Sequence, residues 1–212
     1  TSDQLGLILI DKAAPPGTRK NILIILSCLA QTGQNFNSTA FSVALTKGLQ
    51  DPAIIKPLLT ITALLSNNKA KLSLAIILKL QQFLPHKDLG LDASNSLLNV
   101  AKYHNNDLLK PAIVSFAKIL TEPNIALKVR QNICSTLLCL VQNGREVPEE
   151  VAQGLIQAIQ GGDIIICKTT IEIFAYLADK DVVLTENAAL EIGKTILNTG
   201  IDIEIRKNCA IT

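Results

Sequence analysis

An all-α fold built from repeated two-helix units is predicted by three observations. A polar residue followed about five positions later by a base recurs along the chain: Asp51 precedes Lys56, Asn124 precedes Arg130, Asp163 precedes Lys168 and Asp202 precedes Lys207. With Asp88, whose base is replaced by Ala93, these anchors return every 36 to 39 residues. On both sides of each anchor, apolar residues recur at intervals of three and four, the period of a helix that buries one face. Extending the series backwards puts Ala14 and Arg19 in the same relation. About six units then share one continuous segment, at approximately 1–35, 36–70, 71–106, 107–145, 146–181 and 182–212.

The first helix of each unit is placed by i, i+4 pairs on one face: Leu45 and Leu49, Leu80 and Leu84, Phe116 and Leu120, Leu155 and Ile159, Ile192 and Ile196. The second helices carry Leu26, Ala63, Val100, Leu137 and Phe174 at matching inward positions. Asp51, Asp88, Asn124, Asp163 and Asp202 fall where second helices should begin, and their side chains can accept hydrogen bonds from unpaired first-turn amides. Pro52 suits a first helical position, having no amide to leave unpaired, and Pro111 and Pro148 suit the starts of first helices. Short polar connectors at Gln31 to Asn37, Ser66 to Ala70, Tyr103 to Asp107 and Asn143 to Glu146 separate the helices. Gly161-Gly162 supplies a left-handed turn, since no Lys-Ser/Thr follows to make a phosphate loop.

The composition agrees with aliphatic helices. Five Phe, two Tyr and no Trp leave Ile, Leu, Val and Ala to fill the core, and a mean hydropathy of +0.33 excludes disorder. Twenty bases against 18 acids give a net charge of +2, too small for a global field that would hold nucleic acid or an anionic membrane. The longest apolar runs, such as Ile22 to Leu26, fall far short of the roughly 18 residues of a membrane span. The opening Thr1-Ser2-Asp3-Gln4 is no secretory signal, and the lack of any Met suggests a piece of a longer chain. Five cysteines without CxxC spacing suggest a reducing, cytoplasmic home, with the thiols buried as small hydrophobes; only the sequon Asn37-Ser38-Thr39 points elsewhere.

The Asp-to-base anchor with its aliphatic frame, as in Asn124-Ile-Ala-Leu-Lys-Val-Arg130 and Asp202-Ile-Glu-Ile-Arg-Lys207, resembles the HEAT and armadillo repeat families. The resemblance implies a right-handed α-α superhelix, or α-solenoid, whose stacked hairpins form a long binding surface. It specifies a fold far better than a function.

Two columns of residues stand out against this frame. Arg19, Lys56, Arg130, Lys168 and Lys207 oppose the helix dipole near N-termini and need compensation. They form either a structural ladder, each base pairing with an Asp or Asn of an adjoining unit as the resemblance implies, or a track for an acidic ligand. Just beyond them, Asn21, Asn95, Asn132 and Asn208 lie off the core series of Ile133, Leu137 and Leu140, and so should face outward. Outward amides both donate and accept, which suits gripping an extended backbone. Thr62, Asn99, Ser135, Glu172 and Tyr176 are neighbouring outward candidates, and Ile61, Leu65 and Leu98 would form a groove for a partner helix.

No catalytic constellation, metal set or cofactor motif emerges. His86 and His104 are eighteen residues apart with no metal spacing and read as exposed loop residues, while Glu149-Glu150 suits a helix start. The expected function is therefore non-enzymatic: a scaffold or adaptor that binds a protein or peptide on the face of its second helices. The alternative is nucleic-acid or acidic-ligand binding along the basic column, which the absence of stacking aromatics makes weak and salt-dependent.

Overall fold

Amphipathic segments of this length bury their apolar stripe only against other helices, and the computed structural model is accordingly all-helical. It describes residues 2–34, 36, 38–104, 106–180, 186–198, 203, 206, 207 and 210. Among these lie the helices α1 (Ser2–Ile10), α2 (Pro16–Gln31), α3 (Thr39–Gly48), α4 (Ile55–Asn67), α5 (Leu74–Phe83), α6 (Gly90–Tyr103), α7 (Ile113–Thr121), α8 (Leu127–Gln142), α9 (Glu149–Gln160), α10 (Ile164–Asp179) and α11 (Glu186–Leu197). A 3-10 turn, Asn106–Ala112, precedes α7, and no strand occurs among the described residues. The chain divides into two compact units, Thr1–Leu109 and Lys110–Thr212.

Each unit has two layers. In the first, α3 packs between α1 and α5, while α4 packs between α2 and α6; the pairs α1–α2, α3–α4 and α5–α6 join the layers. In the second unit α9 packs between α7 and α11, α8 lies against α10, and α7–α8 and α9–α10 are the hairpins. First helices thus rest on first helices and second on second. Small residues permit close approach in both units: a Cβ added to Gly6 of α1 would lie 2.9 Å from the Ala44 Cβ of α3, and one on Gly154 of α9 would lie 2.9 Å from the Cα and Cβ of Ala117 in α7.

The inward pairs of the first helices are buried, from Leu45 and Leu49 through Leu80, Leu84, Phe116, Leu120, Leu155 and Ile159 to Ile192; the Ile196 side chain lies outside the described residues. Leu26, Val100, Leu137 and Phe174 are likewise buried in the second helices. Ala63 is a correction: it is half-exposed, because the inward face of α4 runs through Leu58, Thr62, Leu65 and Ser66, one residue earlier.

The caps depart from expectation more often than they meet it. Asp163 does cap α10, accepting from the Ile166 amide at 2.9 Å. Asp51 instead caps a separate turn ahead of α4, accepting from the Ala53 amide at 3.0 Å while its carbonyl accepts from Ile55. Asp88 and Asn124 cap nothing. Asp88 uses its amide to donate to His86 Nδ1 at 3.3 Å, and Asn124 donates its side-chain amide to Glu122. Asp202 lies outside the described residues. The connectors after α2, α4 and α8 close the same way, with amides of Gln34, Ala70 and Arg145 donating five residues back and a left-handed residue at Gly33, Lys69 and Gly144. Gly162 is left-handed as well.

Candidate interaction face of the second helices

A second helix with neighbours on three sides keeps only a narrow strip for solvent, and that strip decides which polar residues can meet a partner. Asn21, Lys56, Lys168, Glu172 and Lys207 are exposed; Arg19, Asn95, Asn99, Arg130, Ser135 and Tyr176 are half-buried. Asn132 and Thr62 are corrections, at 5% and 0% exposure. The position beyond the basic register is not an outward column, since Leu58 and Thr169 in the same register are also buried. The cause is lateral packing: the flank of α8 that faces away from its hairpin partner is covered by α10, and that of α4 by α2 and α6. Thr62 answers its burial by donating to the Leu58 carbonyl at 2.7 Å. Asn208 and Cys209, like Asn37 of the sequon, lie outside the described residues.

Within each unit polar links tie neighbouring second helices, α2 to α4, α4 to α6 and α8 to α10, and their sequence span repeats. Arg19 forms an ion pair with Asp51, Thr60 donates to the Asp92 carboxylate at 2.9 Å, and Gln131 donates to Asp163 at 3.3 Å, each across 32 residues. Further links join Asn99 to Ser66 and the Tyr176 hydroxyl to the Gln142 carbonyl at 3.1 Å. Asn68 reaches the Ala30 carbonyl. Links of this kind exist, but the basic column as a whole does not build them. Arg19 makes its rung; Lys56 and Lys168 stand in solvent with no ion pair among the described residues, and Gln131 rather than Arg130 reaches Asp163. Asp92, one helical turn after the anchor Asp88, is the acceptor that pattern reading overlooks; the one available signal was its spacing from Thr60.

Arg19 also donates from Nε to the Leu9 carbonyl at 2.9 Å, which aims its guanidinium at Asp51. The hydrogen bond from Arg19, then that from the Ala53 amide, hold the Asp51 carboxyl below its ordinary value of 3.8. A carboxyl held low in the folded state stabilises at and above its ordinary pKa, and the contribution disappears as pH falls through the lowered folded value. Arg19→Met is expected to move the Asp51 titration upward, read from its side-chain carboxyl by NMR; equal titration in both proteins would show that Arg19 does not control it.

The remaining titratable groups serve the fold. Cys134 is fully buried, with Sγ 3.8 Å from the Ile166 carbonyl and 3.5 Å from Thr170 Oγ1, and burial pushes its thiol up to about 12. Cys28 is exposed instead of buried, since α2 is the outermost second helix of its unit. His104 is half-buried at the end of α6 rather than an exposed loop residue, and burial lowers its pKa. Among the described residues no three His, Cys, Asp or Glu gather into a group that could hold a metal ion, and no helix is long and apolar enough to cross a membrane. Leu65 is sealed in the core, so the groove expected from Ile61, Leu65 and Leu98 does not form. Ile61 instead helps line a groove between α2 and α4 of about 420 Å³, with Leu23, Ile24, Pro57 and Lys20.

No match was found among family models, curated proteins or solved structures.

Proposed function

We propose that this chain is a segment of a HEAT- or armadillo-like α-solenoid of about six two-helix repeats, and that it binds another protein or peptide through the exposed strip of its second helices rather than catalysing a reaction. The observation that carries the reading is the 32-residue link between successive second helices, present in both units. Within each unit it orders neighbouring second helices side by side, leaving Lys56 and Asn95 of the first unit and Lys168, Glu172 and Tyr176 of the second at least partly open to solvent. Such a strip recognises by shape and spaced polar groups, the mode of repeat arrays. The setting that fits is a reducing, cytoplasmic one, in which the exposed Cys28 thiol persists.

The test is affinity capture with residue-resolved crosslinking. Crosslinks should fall on α2, α4, α6, α8 and α10, and a double substitution Asn95→Arg with Glu172→Arg should weaken capture about tenfold. Glu172 is exposed, so its substitution alone should change stability by no more than about 0.5 kcal/mol, and helical circular dichroism verifies the fold of the double variant. Crosslinks confined to α3, α5, α7 and α9 would overturn the reading. A second reading, acidic-ligand or nucleic-acid binding, draws on the solvent-facing Lys56 and Lys168; tight binding of nucleic acid at near-physiological salt, lost on neutralising both, would favour it.

A further inference from the structure

We infer that the groove between α2 and α4 is the docking site for a peptide segment that combines aliphatic anchors with carboxylates. The inference rests on the protein-binding reading above and gives it a place and a ligand chemistry. Ile24, 53% exposed, and the exposed Pro57 line the groove with Leu23, while Ile61 is sealed in its floor. A peptide's apolar side chains gain from leaving water on such an open aliphatic surface. Ser27 also lines the groove, and its hydroxyl has no protein partner among the described residues, leaving it to meet a peptide carbonyl.

Charge selects the ligand. The groove runs into a second hollow of about 330 Å³ that shares Lys20, Leu23 and Pro57 and adds Arg19, and no carboxylate lines either. Lys20 lines both hollows, and the nearby Asp51 carboxylate is committed to Arg19. At the other end Asp92 accepts from Thr60. Charge is therefore positive beside Lys20 and offset by Asp92 beyond Thr60, so the peptide's carboxylates belong at the Lys20 end and its aliphatic residues over Ile24 and Pro57. Arg19 is tied down and no aromatic ring lines the groove, which disfavours nucleic acid as the occupant.

The test is selection from a displayed library of random peptides, each about 12 residues or just over three helical turns long, on the intact chain. Enriched peptides should carry Asp or Glu on one side of an aliphatic pair spaced three or four apart. Their affinity, read by fluorescence anisotropy, should fall at least about tenfold with Lys20→Glu and with Ile24→Ser, and should weaken as salt is raised. Both substitutions are at exposed positions, and helical circular dichroism verifies the fold of each variant. Enrichment of basic or uncharged peptides, affinities unmoved by both substitutions, no enrichment at all, or displacement of the peptides by short nucleic acid would each overturn the inference. The broader reading is judged separately: should the groove fail while a captured partner still crosslinks to Asn95 and Glu172, the protein-binding face stands without this site.

Discussion

Phe116→Ala is expected to lower the unfolding free energy of the second unit by about 3–5 kcal/mol. The ring is fully buried where α7 meets α8 and α9, and it is among the largest side chains with no solvent contact at all. Removing it deletes the apolar transfer energy and leaves a void that α7, held by α8 and α9, closes only in part. Val114→Ala on the same helix is the control: that side chain is about half exposed, and its truncation should cost no more than roughly 0.5 kcal/mol. Urea unfolding followed by helical circular dichroism separates the two. A loss below about 1 kcal/mol for Phe116→Ala would mean that the helix does not seat this face in the core.

Gly154→Leu has the second-largest expected effect, a destabilisation of about 3 kcal/mol, and its sign is the informative part. In an isolated helix any replacement of glycine would help, by up to about 1 kcal/mol. Here even a Cβ would approach the Ala117 backbone carbonyl oxygen at 3.2 Å and the Ala117 Cα at 2.9 Å. A backbone cannot swing aside like the end of a flexible side chain, so α7 and α9 must separate, and the packing around Phe116 loosens with them. Gly17→Ala in α2, where nothing lies within 4 Å of the added Cβ, should by contrast be neutral or slightly stabilising. If Gly154→Leu were as harmless as Gly17→Ala, the close approach of α7 to α9 would be wrong.

These two sites mark different degrees of legibility. Phe116 was readable: its i, i+4 partnership with Leu120 gives a helix and an inward face without any knowledge of the neighbours. Gly154 was not, because nothing in its local pattern says that another helix crosses there. The same division runs through the candidate face. The helix intervals and most inward residues could be read from periodicity, yet Ala63 was placed one residue away from the true inward position at Thr62. The helical wheel sets Asn132 in solvent, yet it is 5% exposed. The spacing makes Asp88 a cap, while Asp92, a turn later, holds the link to Thr60.

What the chain determined by itself is therefore the set of helices and the stripe by which each meets its hairpin partner, since a helical period is a property of consecutive residues. Which remaining flank is covered, which carboxylate receives the neighbouring hydroxyl or guanidinium, and where an aliphatic groove stays open were decided only by the tertiary packing. The physical reason is that those outcomes depend on lateral neighbours some 32 residues away, as in the pairing of Arg19 with Asp51. The offset between successive second helices follows from side-chain volumes at their contact, and no local pattern encodes it.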